Sequence, residues 1–267
     1  MGTIKDFRSY EQMDKIYRLL ETHGKSHQPY IVKFERGNQL LIFFGSRHSN
    51  KTDDLQVTEI ENLWSIFIEH TNSTKVAVGE GGIRSASSTK AESITEHSEA
   101  GLLAWLARRD NIEVVSPEPD RTEEIGYLLA EGFTTAQILT YYFARQMLQW
   151  KRSDHLSYTV WQDYASDCMK KYGSVYQWNE STDLQNILSL YSKVAGKAFD
   201  PSDEKTLYEL SRPSANSVAA ASGLYRDLSV YTAIKAYWKG GKDIFAVYGS
   251  GHALVLELAL HRLAYAA

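Results

Sequence analysis

The chain has 267 residues, enough to bury one large core or two small ones. Its 29 Lys and Arg nearly balance 33 Asp and Glu, and the basic residues are scattered, so neither a nucleic acid nor an anionic membrane surface is expected as the main partner. Cys168 is the single cysteine, which excludes an intrachain disulfide and a sulfur-ligated zinc cluster.

The opening stretch MGTIKDFRSYEQMDK is charged throughout and lacks the apolar segment of a signal peptide. No run approaches the roughly 20 apolar residues of a spanning helix, so no membrane span and a cytoplasmic protein are expected. Residues 8–23 carry an amphipathic helical pattern that stops at Gly24. YIVKFERGNQLLIFFG then gives two strands around a short Gly37-Asn38 turn. Thr52, Asp53 and Asp54 offer caps for a helix bearing Leu55, Ile60, Leu63, Trp64, Phe67 and Ile68. KVAVG (75–79) is a short strand, followed by the Gly- and Ser-rich GEGGIRSASSTK. A helix over 97–109, a strand IEVVS and helices from about Thr122 and Thr135 follow.

From 135 to about 240 the pattern is largely helical and rich in Tyr and Trp. DIFAVYG (243–249) is the last strand, before a helix from about His252. Alternating strands and helices predict an α/β fold with a mostly parallel central sheet flanked by helices. The expected organisation is a first core part over 1–134, a helical insertion or cap over 135–222, and a C-terminal helix-strand-helix over 223–267.

Open α/β sheets bind ligands beyond the carboxyl ends of their strands. Four strands here are followed by Gly45-Ser46-Arg47-His48, Gly79-Glu80-Gly81-Gly82, Ser116-Pro117-Glu118-Pro119 and Gly249-Ser250-Gly251-His252. If these strands are parallel, one sheet edge carries two Gly-x-x-His motifs and two glutamates. Gly45, Gly249 and Gly251 let the backbone turn and a bound group approach closely. His252 opens a helix, whose N-terminal N–H groups disfavour an imidazolium, so a neutral imidazole is expected. Two imidazoles and the Glu80 carboxylate are a donor set for a divalent transition metal of the manganese, cobalt or zinc class. Such a metal makes water a nucleophile near neutral pH.

Glu118 is expected to serve the next helix N-terminus, and Arg47 to face solvent. Cys168 is expected to be an inert helix residue. His23, His27, His70, His155 and His261 read as bland, whereas His97 stays open because it follows the glycine-rich loop. Arg226-Asp227 is either a surface pair or an arginine aimed at an oxyanion.

These residues resemble the TraB/PrgY–Tiki superfamily, which includes the erythromycin-esterase and ChaN-like proteins. The resemblance rests on Gly45…His48, Glu80, Arg226 and Gly249…His252, most closely in YRDLSVYTAIKAYWKGGKDIFAVYGSGHALVLELAL. It covers roughly residues 38–84 and 222–265. It implies that both motifs meet in one cleft that hydrolyses a peptide, ester or lactone bond in a peptide or small-molecule substrate. Within it His48, His252 and Glu80 are the expected metal ligands and, with Arg226, the catalytic set. ChaN-like members imply an alternative, a haem-binding protein without catalysis, for which Tyr141, Tyr142, Phe143, Trp150 and Trp161 would supply an apolar lid. A metal-free hydrolase with a histidine base oriented by Glu80 is the third expectation.

Overall fold

Leu40, Leu41, Ile42, Phe43 and Phe44 are all fully buried, as a strand covered on both faces requires. They lie in the second strand of a five-stranded sheet in the computed structural model, which describes residues 7–22, 29–71, 74–83, 86–152 and 160–265. His23, His27 and His155 lie outside the described residues.

After helix α1 (Tyr10–Thr22), strands β1 (Tyr30–Arg36) and β2 (Gln39–Ser46) pair antiparallel. Arg36 faces Gln39 across the Gly37-Asn38 turn, with Gly37 at φ 59°. Helix α2 (Leu55–Glu69) starts at Asp54, whose side chain accepts from the Gln56 N–H. β3 (Lys75–Gly79), helix α3 (Lys90–Arg109) and β4 (Glu113–Val115) follow. Six helices then lead to β5 (Asp243–Gly249) and α10 (Ser250–Tyr265). They are α4 (Arg121–Ala130), α5 (Thr135–Arg152), α6 (Trp161–Val175), α7 (Leu184–Ala195), α8 (Glu204–Ser211) and α9 (Ser217–Lys239).

The sheet order is β1-β2-β5-β3-β4, and β2, β5, β3 and β4 all run parallel. The α/β reading and the mostly parallel sheet therefore hold, with β1 the antiparallel edge. Leu40, Ile42 and Phe44 face one side at period two. There they join Ala77, Phe245 and Val247 under Trp64 and Phe67 of α2 and Leu102, Leu103 and Leu106 of α3.

At the amino ends of the strands, buried Asp243 accepts from the Leu40 N–H at 2.8 Å and pairs with His70 Nδ1 at 2.6 Å. His70, the C-cap of α2, is thus a structural residue, tied to the edge opposite the two motifs.

α3 begins earlier than position 97. A Thr89–Glu92 capping box starts it, and the chain breaks from helical geometry at His97 and Ser98 before resuming. The apolar pattern over 97–109 belongs to the second half only. α9 starts at Ser217, where the Asn216 side chain accepts from the Val218 and Ala219 N–H groups.

The chain divides into two compact units, Met1–Glu118 with Asp227–Ala267, and Pro119–Arg226. α4 thus falls in the second unit. Tyr141, Tyr142 and Phe143 are buried in the core of that unit, and Trp150 and Trp161 pack against it. Its buried Glu124 holds Arg121 at 2.6 Å and Ser222 at 2.5 Å. The thiol of Cys168 is half-buried, and burial pushes its pKa up, which suits an inert residue. Among the described residues no helix is long and apolar enough to cross a membrane.

Candidate functional site

Because β2, β5 and β3 are adjacent and parallel, their carboxyl ends deliver the two histidines and Glu80 to one place. His48 follows β2 on a left-handed residue (φ 55°), an uncommon conformation that turns its ring back over the sheet edge. Glu80 follows β3, its N–H donating to the Val247 carbonyl at 3.2 Å. His252 sits in the first turn of α10, directly after β5.

The Glu80 carboxylate lies between the two imidazoles. Its Oε2 is 3.8 Å from His48 Nε2, and its Oε1 is 3.6 Å from His252 Nε2. Oε2 also accepts from the Gly249 N–H at 2.6 Å, which fixes the carboxylate against β5. Each imidazole is held from behind. His48 Nδ1 bonds Glu99 Oε1, and His252 Nδ1 bonds Asp227 Oδ1 at 2.5 Å. Both supporting carboxylates are buried, with side chains 6% and 1% exposed. Glu99 also accepts from the Ser46 hydroxyl at 2.7 Å, and Asp227 from the Tyr10 hydroxyl at 3.2 Å.

The glycines act differently from one another. A Cβ on Gly249 would stand 2.7 Å from His48 Nε2, so this glycine makes room for the histidine ring. A Cβ on Gly45 would stand 2.7 Å from the Tyr30 carbonyl and 2.8 Å from the Ser250 Cα, so this glycine lets α10 pack on β2. Gly251 is the second residue of α10.

In the metal-free chain the pKa of His252 is raised, against the neutral imidazole expected from a helix N-terminus, and metal binding would displace that proton. Burial pushes its pKa down, but Asp227 and Glu80 outweigh burial and hold it up at about 10. The helix end contributes roughly half a charge, whereas Asp227 puts a full opposite charge at hydrogen-bond distance. The hydrogen bond to Glu99 likewise raises the pKa of His48. Burial pushes the Glu99 carboxyl up, and His48 and Ser46 bring it below the ordinary range.

Several sequence candidates stand apart. Glu118 accepts from the Gly81 N–H at 3.2 Å and steadies the glycine loop. The cap of α4 is Asp120 instead. Arg47 is exposed, as expected, and pairs with Asp54 at 2.7 Å. His97 sits at the break in α3. Arg226 is partly buried at the end of the second unit, one residue before Asp227 on α9. Consecutive helical residues leave the axis about 100° apart, so the two side chains take different faces.

His48, Glu80 and His252 carry donor types that transition metals accept. Ligands bound tetrahedrally at about 2.0–2.1 Å stand roughly 3.3 Å apart, and the spacings of 3.8 and 3.6 Å are slightly wider. Among the described residues no group of three or more His, Cys, Asp or Glu is placed to hold a metal ion as the side chains stand. The His48 side chain is 58% exposed, which leaves its ring room to close that gap. Carboxylates on the rear nitrogens are the outer partners that metal-ligating histidines use.

Compared with known families, curated proteins and solved structures, the chain matches no family model, no curated protein and no solved structure.

Proposed function

We propose that this chain is a metal-dependent hydrolase of the TraB/PrgY–Tiki type, acting on a peptide, ester or lactone bond. One observation carries the reading: a single carboxylate, Glu80, lies between the Nε2 atoms of two histidines whose Nδ1 atoms are each held by a buried carboxylate. In this reading His48, His252 and Glu80 hold a divalent transition metal of the manganese, cobalt or zinc class. When bound, the metal supplies Lewis acidity that makes water nucleophilic near neutral pH. Asp227 and Glu99 orient the imidazoles and leave Nε2 directed at the site. Glu80 is held between the imidazoles by the Gly249 N–H, which donates to its Oε2. The helices between β4 and β5 are read as an insertion into the α/β core, and a small-molecule or peptide substrate in the cytoplasm fits the reading.

Elemental analysis of purified protein tests it. Wild type is expected to carry close to one metal per chain, and His48→Ala and His252→Ala much less. Equal metal in all three removes the ligand roles.

The histidine–carboxylate pairs also support a second reading, a metal-free hydrolase with a histidine as base. Hydrolysis that persists after chelation selects it. The haem alternative loses its lid, since Tyr141, Tyr142 and Phe143 are core residues.

A further inference from the structure

The two imidazoles are not held alike. His252 lies in a helix, its side chain is 16% exposed, and both oxygens of its supporting Asp227 have partners, His252 and Tyr10. His48 lies on a turn, its side chain is 58% exposed, and only one oxygen of its supporting Glu99 has a partner. The other, Oε2, is buried without a hydrogen-bond partner among the described residues. An unsatisfied buried carboxylate oxygen is costly and calls for a reason.

The backbone supplies a second sign. Glu99 directly follows the break in α3, where Ser98 has φ 54° and ψ −142°, a conformation that disfavours non-glycine residues. The two halves of the helix meet closely at that break, because a Cβ on Gly101 would stand 1.9 Å from the Ser93 carbonyl oxygen. A straight α3 would carry Glu99 on regular helical φ/ψ. The break changes the direction in which its side chain leaves the helix, and that side chain reaches Ser46 and His48.

We propose that Glu99 is the positioning residue for His48, delivered by the break in α3, and that His48 is the adjustable arm of the site while His252 is its fixed anchor. The proposal rests on the metal reading for its consequence, but its geometry does not need a metal. Glu99 acts through His48 by setting which nitrogen carries the proton and where the ring points.

Two readouts on the full chain test this. In metal-free wild type, proton NMR is expected to show two slowly exchanging, far-downfield imidazole N–H signals, one lost in His48→Ala and the other in His252→Ala. Glu99→Gln puts a neutral amide where one Glu99 oxygen takes both Ser46 and His48, which removes the charge that holds the imidazole N–H. It is expected to abolish the His48 signal alone, and Asp227→Asn the His252 signal alone. Cobalt(II) titration is expected to give roughly 10- to 100-fold weaker binding for Glu99→Gln. Retention of the His48 signal and of wild-type cobalt affinity in Glu99→Gln overturns the positioning role and leaves the metal reading standing. Wild type with both signals but no cobalt binding removes the metal reading and leaves the positioning role. If Glu99→Gln fails to fold, the wild-type spectrum decides, and absence of a His48 signal there overturns the proposal.

Discussion

Asp227→Asn is expected to lower the stability of the metal-free protein by about 3 kcal/mol at pH 7, measured by urea unfolding. The substitution keeps the shape of the side chain and removes the charge that opposes His252. His252 is buried enough that Asp227 and Glu80 must outweigh burial to keep it cationic. With Asp227 gone, the imidazole either stays charged with one carboxylate fewer or releases its proton, and each course costs stability. The pH dependence carries the sign. The folded pKa of His252, about 10, lies above its unfolded value of roughly 6.5. Its contribution is therefore fully present below about pH 6.5 and is lost as pH rises through about 10. Wild type should weaken across that window, and Asp227→Asn should show a much flatter profile there. Parallel profiles in the two proteins would show that the pair does not hold the proton. Tyr10, Glu80 and His48 face the same pair and are unchanged in both proteins, so the difference isolates Asp227.

The two motif glycines should separate fold from site. Gly45→Ala places its new Cβ against the Tyr30 carbonyl oxygen and the Ser250 Cα, both backbone, and against the Ala253 Cβ. Nothing there can swing away, so β1, β2 or α10 must shift. Overpacking of this kind costs about 3 kcal/mol, and the protein should be poorly folded or clearly destabilised. Gly249→Ala places its Cβ 2.7 Å from His48 Nε2 and 3.5 Å from Glu80 Oε2, both on side chains. The half-exposed His48 ring can leave. This variant should keep most of its stability, within about 1 kcal/mol by thermal or urea unfolding, while losing metal affinity by a factor of about 100 or more. Similar stability losses in both variants would mean that Gly249 serves packing rather than the histidine.

The convergence of His48, Glu80 and His252 was legible in the sequence because its signals are local. A glycine ends each strand, a histidine follows three residues on, and a parallel sheet sends every such tip to the same edge. His48, Glu80 and His252 needed only that topology. The supporting carboxylates were harder to see for physical reasons. Glu99 stands in ITEHSEAG, a polar stretch that suits a solvent-facing helix. Only the break at His97 and Ser98 turns it inward, and serine carries no mark of a left-handed residue. Asp227 was visible as the neighbour of Arg226, but adjacency does not say which of two helical residues points inward. The charge of His252 was misjudged for a related reason. The helix end was visible, but not that Asp227 lies beside the ring.

The most direct measurement is anomalous scattering from crystals grown with manganese, cobalt or zinc. The account predicts one strong peak about 2.0–2.3 Å from the Nε2 atoms of His48 and His252 and from a carboxylate oxygen of Glu80. A fully occupied peak elsewhere, or one ligated by only one of the two histidines, would contradict it.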